Sequence, residues 1–139
     1  MQPFRNLKVW QRSHGFALEV YQLTRRFPSE ERFALADQMR RCAVSVPSNI
    51  AEGSVYDQGE QFNRYLTIAL ASATELEYQL LLAHDLEYLP GERYQLLDAE
   101  LAEIKRMLVA FRNYRSGRPA RTSQPNSQQL PASSSASAP

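Results

Sequence analysis

The chain holds one thiol and two imidazoles, so nucleophilic chemistry would need Cys42 with His14 or His84 as its base. Cys42, however, falls in the series Leu35, Met39, Cys42 and Val46, spaced four, three and four residues apart. That spacing marks one apolar face of a helix, where a small buried thiol is the ordinary outcome. A di-iron site needs a glutamate three residues ahead of each inward histidine. Those positions are Leu81 ahead of His84 and Gln11 ahead of His14. Glu75 and Glu77 would point about 200° apart on a helix and form no carboxylate dyad. HExxH, a phosphate-cradling glycine loop, a dinucleotide fingerprint and paired CxxC are all missing from the sequence. The expectation is a protein that is not an enzyme and uses no metal or cofactor.

A different kind of chemistry lies in "SVPSNIAEG", Ser45 to Gly53. Val46 and Ile50 continue the helical face that begins at Leu35, yet Pro47 removes a hydrogen bond and crowds a carbonyl, at about 3 kcal/mol. Ser45, Ser48 and Asn49 have side chains short enough to reach backbone groups around a bend. Two readings stand side by side. The string is a packing kink, or it is a polar pocket at a subunit junction that presents Asn49 and Glu52 to a partner. The small residues of "IALASAT" (Ala69, Ala71, Ser72, Ala73) offer a matching surface, either within the chain or between subunits.

The third resource is charge. A net charge of +1 hides a lopsided chain. Residues 1–50 carry 8 basic and 4 acidic side chains, residues 51–104 carry 2 and 11, and residues 105–139 carry 6 and none. Asymmetry of this kind points to a charged partner. The basic residues gather as Arg5, Lys8 and Arg12 near the start, and as Lys105, Arg106, Arg112 and Arg115 near the end, with Arg118 and Arg121 beyond. A second group holds Arg25, Arg26 and Arg32, followed by Arg40 and Arg41.

Four helical stretches would position these residues. The first runs from about Leu7 to Phe27 with two apolar stripes: Leu7, Trp10, His14, Ala17, Tyr21, and beside it Phe16, Val20, Leu23, Phe27. "FPSEE" ends it, with Ser29 suited to cap the next helix and Glu30 and Glu31 at the positive end of that helix's dipole. The second holds the proline motif and ends near Gly53. The third shows Phe62, Leu66, Ala69, Ala73, Leu76, Leu80 and Ala83 at alternating spacings of four and three. After the turn "YLPGE", the fourth shows Tyr94, Leu97, Leu101, Ile104, Leu108 and Phe111.

No strand-like alternation competes. Short connections between long helices predict an all-α, antiparallel up-down-up-down four-helix bundle with a kinked second helix. Residues 1–115 form this domain. Residues 116–139 are rich in Ser, Pro and Ala and hold a single leucine. Such a segment buries too little to offset its ordering entropy, which predicts a disordered tail. With no apolar run of about 18 residues, no signal core at the start and one cysteine, the expectation is a cytoplasmic protein with no membrane association.

"FRNLKVWQRS", "ALADQMRRCAVSVPSNIAEG" and "FNRYLTIALASATELEYQLLLAHDLEYL" together resemble the bacterial four-helix-bundle proteins encoded in intervening sequences of 23S ribosomal RNA genes. The likeness spans about residues 4–112 and leaves the tail outside. It implies a left-handed antiparallel bundle that assembles as a ring, expected to be a pentamer. It also implies kinship to the accessory variability proteins of diversity-generating retroelements, which partner a reverse transcriptase and bind nucleic acid through basic surfaces.

Apolar excess agrees with assembly. The first helix has two stripes where a single bundle needs one, and Tyr65, Ile68, Leu81 and Leu82 overfill the third. A second face covered by another copy is the favoured explanation, and a head-to-tail contact closes into a ring. In an up-down bundle Arg5, Lys8, Arg12, Lys105, Arg106, Arg112 and Arg115 share one end. Arg25, Arg26 and Arg32 gather at the opposite end, and repeated around a ring each cluster makes a belt able to hold the phosphate backbone of RNA or DNA without reading sequence. The alternative is an interaction scaffold for a protein partner, for example a polymerase, docked on the acidic middle section.

Overall fold

The structure is a computed structural model; it describes residues 3–56 and 59–115, and of Arg115 the backbone alone. The predicted tail lies outside the described residues. Four α-helices account for most of the chain: α1 Lys8–Thr24, α2 Leu35–Gly53, α3 Glu60–Asp85 and α4 Gly91–Arg115. Short 3-10 helices, Phe4–Asn6 and Ser29–Glu31, precede α1 and α2. Among the described residues there is no strand.

The core follows the spacing of the apolar residues. All seven predicted positions of α3, from Phe62 to Ala83, are buried, as are Leu35, Met39, Cys42, Val46 and Ile50 of α2. α4 contributes Leu97, Leu101, Ile104 and Leu108. α1 resolves its two stripes unequally. Phe16, Val20, Leu23 and Ala17 turn inward together with Val9. Tyr21 stays 39% exposed, and Trp10 is half-buried between the Phe4 ring, 5.0 Å away, and the stacked His14 ring, 4.9 Å away.

The start of α2 departs from the sequence expectation. Ser29 makes no capping bond; it opens a 3-10 turn instead, and α2 begins six residues later. Glu31 performs the capping, its Oε1 accepting the Leu35 N–H at 3.2 Å. Its other oxygen accepts the Tyr88 hydroxyl at 2.7 Å, which ties the α1–α2 connection to the one between α3 and α4. The carboxylate holds the Tyr88 proton in place, raising that phenol above its ordinary pKa. α3 closes with Tyr88 N–H bonded to the Ala83 carbonyl and Glu87 N–H to that of His84, each at 2.9 Å. Glu87 takes the left-handed position of this C-terminal motif, at φ 67°.

Small residues bring α2 and α3 together along the proline motif. Pro47 is buried, and α2 passes through it unbroken. The Asn49 amide donates to the Ser45 carbonyl at 2.8 Å and to its hydroxyl at 3.0 Å. That hydroxyl in turn meets the Ser72 hydroxyl of α3 at 2.7 Å. These bonds fall on Ser45 rather than on the Ala43 carbonyl, the acceptor that Pro47 deprives of its usual donor. At the end of α2, a Cβ on Gly53 would sit 2.8 Å from both Phe62 Cδ1 and Tyr65 Cβ.

No helix of the described residues is long and apolar enough to cross a membrane.

Gly53→Ala tests the seam. Overpacking of this kind costs about 1–3 kcal/mol, against a gain of about 1 kcal/mol in helix propensity. Urea denaturation should show a net loss of up to about 2 kcal/mol. A variant more stable than the wild type would mean that α2 and α3 do not approach so closely.

Candidate nucleic-acid interface

The predicted cations divide by what they touch. Lys105, on α4, is held by Glu77 of α3, Nζ to Oε1 at 2.7 Å. Arg106 is held by Glu103 within α4, at 2.6 Å. Both charges are already matched, and pairs this exposed contribute little to stability. Arg112 instead donates to the neutral Thr67 hydroxyl at 3.1 Å. Arg12 lies half-buried on α1 with Nη1 at 4.0 Å from the Met107 sulfur of α4. Arg5 and Lys8 are exposed, the Arg5 guanidinium carbon 5.6 Å from the Phe4 ring centre. The Arg5 carbonyl accepts the Gln11 amide at 2.8 Å, which steadies the turn carrying it.

Arg12 is set among carboxylates. Glu100 is half-buried on α4, and burial pushes its carboxyl above the usual range, helped by Glu19 of α1 and opposed by Arg12 and Arg93. Glu19 Oε1 is itself buried without a hydrogen-bond partner. Glu103 moves the other way, held low by Arg106, with Arg12 adding to the effect. The surroundings of Arg12 therefore mix signs, whereas Arg5, Lys8 and Arg112 have no carboxylate at ion-pair distance among the described residues.

The proline-motif residues face in several directions. Ser45 and Asn49 are half-buried and bonded within the α2–α3 seam, and Pro47 is buried. Ser48 and Glu52 are exposed. Asn49 directs its amide to Ser45 and not outward.

Cys42 faces Glu75 and Gln79. Burial, and then the Glu75 charge, pushes its thiol up to about 11, so it is protonated at neutral pH, the reverse of an activated nucleophile. His84 stacks on Tyr94, ring centres 4.6 Å apart. Among the described residues no group of three or more His, Cys, Asp and Glu side chains could hold a metal ion.

Sequence reasoning put the second arginine group at the opposite end from the first, as another belt for a phosphate backbone, without seeing a pocket there. Arg25, Arg32 and Arg40 line one cavity, and Arg26 lines another with Arg93. Arg40 was hard to place from sequence because its partner, Thr24, lies sixteen residues back on another helix.

The family model described as 23S rRNA-intervening sequence protein matches residues 5–110. Among solved structures, the chain is similar to a protein with unknown function from the S23 ribosomal protein family of Bacteroides thetaiotaomicron. The two share 29% identity and a TM-score of 0.69, over 74% of this chain and 96% of the other. No curated protein matches the sequence.

The raised Glu100 carboxyl has a pH signature. The fold favours its protonated form, so stability falls as pH rises from the unfolded carboxyl range, about 4.3, through the higher folded value. Glu100→Gln should melt at a higher temperature than the wild type at pH 7. The difference should close as pH is lowered below about 4.3. A variant less stable at pH 7 would show that Arg12 and Arg93 outweigh burial at this carboxylate.

Proposed function

The chain belongs to the 23S rRNA-intervening sequence protein family, and on that premise we propose that it is a non-enzymatic, ring-forming accessory protein. It binds RNA or DNA through the phosphate backbone and reads no sequence. One observation carries the nucleic-acid reading: Arg5, Lys8 and Arg112 keep exposed or partly exposed charge with no carboxylate at ion-pair distance among the described residues. Cations in that state remain available to displace counterions from a strand.

The architecture behind this reading is an antiparallel up-down-up-down bundle. Its support is the order of contacts. Glu77 meets Lys105 while Thr67 meets Arg112; Ser45 meets Ser72 while Gly53 abuts Phe62. Position falls along one helix as it rises along the next. In this reading the start of α1 and the end of α4 share one end, and the seven cations with them.

Assembly into a ring, in this reading a pentamer, is supported by large apolar side chains left at the surface. Leu18 is 54% exposed on α1, Ile68 43% and Leu81 40% on α3, and Leu96 67% on α4. A second copy covering them explains why α1 and α3 hold more apolar residues than one core takes in. Kinship to the accessory proteins of diversity-generating retroelements belongs to the same reading, and with it a reverse transcriptase as a candidate partner. An interaction scaffold without nucleic-acid affinity is the competing function.

Filter binding of a random single-stranded RNA across a salt series separates them. Affinity should fall steeply with salt, and Arg5→Gln, Lys8→Gln and Arg112→Gln together should lower the log–log slope by about 2 per chain, at ~0.7 per contact. No binding at low salt favours the scaffold. Binding with an unchanged slope would move the interface elsewhere on the surface.

A further inference from the structure

Between the end of α1 and the first turns of α2, three guanidinium groups border one cavity that no carboxylate lines. The cavity is about 270 Å³ and is bounded by Arg25, Arg32 and Arg40 with Thr24, Ser29 and Phe27. We infer that it is a binding site for a phosphate monoester, and it does not depend on the strand contacts of Arg5, Lys8 and Arg112.

Arg40 gives the site a fixed centre. Its Nε–H donates to the Thr24 hydroxyl at 2.8 Å, and that hydroxyl donates to the Val20 carbonyl at 2.7 Å. The guanidinium carbon also lies 5.0 Å from the centre of the Tyr21 ring. The group is half-buried and oriented by neutral partners, which leaves its charge uncompensated and its terminal nitrogens free to donate. Arg25 and Arg32 are exposed, and Arg32 lies 5.7 Å from the Phe33 ring centre.

Two neighbouring acids are committed elsewhere: Asp37 pairs with Arg41 at 3.1 Å, and Glu31 is occupied by Leu35 N–H and the Tyr88 hydroxyl. Glu30, beside Ser29, is exposed and does not line the cavity. Three like charges around a small space repel one another, and a dianion placed between them removes that repulsion. Guanidinium forks match phosphate oxygens two at a time, and the Ser29 hydroxyl can supply a further donor. A volume just under the ~300–1,000 Å³ of drug-sized pockets suits a phosphate with a small substituent. The three positive charges suit a doubly charged monoester better than a singly charged diester.

Calorimetric titration of the full chain with inorganic phosphate, at pH 7.5 and constant ionic strength, tests this. Saturable one-to-one binding is expected, weakening as pH is lowered and the phosphate dianion takes up a proton. Arg25→Gln with Arg32→Gln should weaken it at least about tenfold, a change of ~1.4 kcal/mol. Both side chains are exposed, so this variant should melt like the wild type. Arg5→Gln with Lys8→Gln should bind phosphate as the wild type does, even where it loses affinity for RNA. Absence of saturable binding, or an Arg25/Arg32 variant that binds as tightly as the wild type, overturns the site. A short oligonucleotide with and without a 5′-phosphate then identifies the source. Preference for the phosphorylated form assigns a strand end, and equal affinity assigns free phosphate or a small ester.

Discussion

The close approach of α2 and α3 is the constraint on which the other positions depend. Gly53 leaves no room for even a methyl group against Phe62 and Tyr65, and the Ser45 and Ser72 hydroxyls meet across the same seam. Small residues let two backbones approach where larger ones would hold them apart. Pro47 belongs to that design: it is buried, and Ser45 and Asn49 beside it are bonded within α2 or to α3, while Ser48 is exposed. A hydrogen bond lost to proline costs about 3 kcal/mol in an ordinary helix, so packing along the seam must offset it. With α2 and α3 fixed, α1 lies on α2 through Arg40 and Thr24, and α4 lies on α3 through Lys105 and Glu77.

Charge is distributed by the same geometry. Pairing on neighbouring turns and helices consumes Lys105, Arg106 and Arg41. Among the described cations with no carboxylate at ion-pair distance are two sets, Arg5, Lys8 and Arg112 on the segments that open α1 and close α4, and Arg25, Arg32 and Arg40 around the α1–α2 connection. Contacts from either set to phosphate fix position and carry no sequence information.

Much of the fold was legible in the sequence because apolar spacing is a local signal. The series from Phe62 to Ala83 and from Leu35 to Ile50 turned inward as spaced. α1 was ambiguous because both stripes are apolar and only neighbouring helices decide between them; the one holding Phe16 and Val20 won, with Ala17 taken from the other. The α2 start was misplaced because Ser29 has the residue type of a cap, while Glu31, two residues on, reaches the free N–H group of Leu35. The charged clusters were legible as composition only. Which cation is matched depends on partners such as Glu77, 28 residues from Lys105, and no local pattern carries that information.

Exposed apolar side chains and unmatched cations on one chain lead to a single claim, that copies of this protein associate and together hold a nucleic-acid strand. Native mass spectrometry with and without a random RNA oligomer reads both halves at once. The account predicts a closed multiple of the chain mass, five copies in the proposed ring, and a further increment of one RNA on the intact assembly at low salt. A single-copy particle at high concentration that takes up no RNA would contradict it.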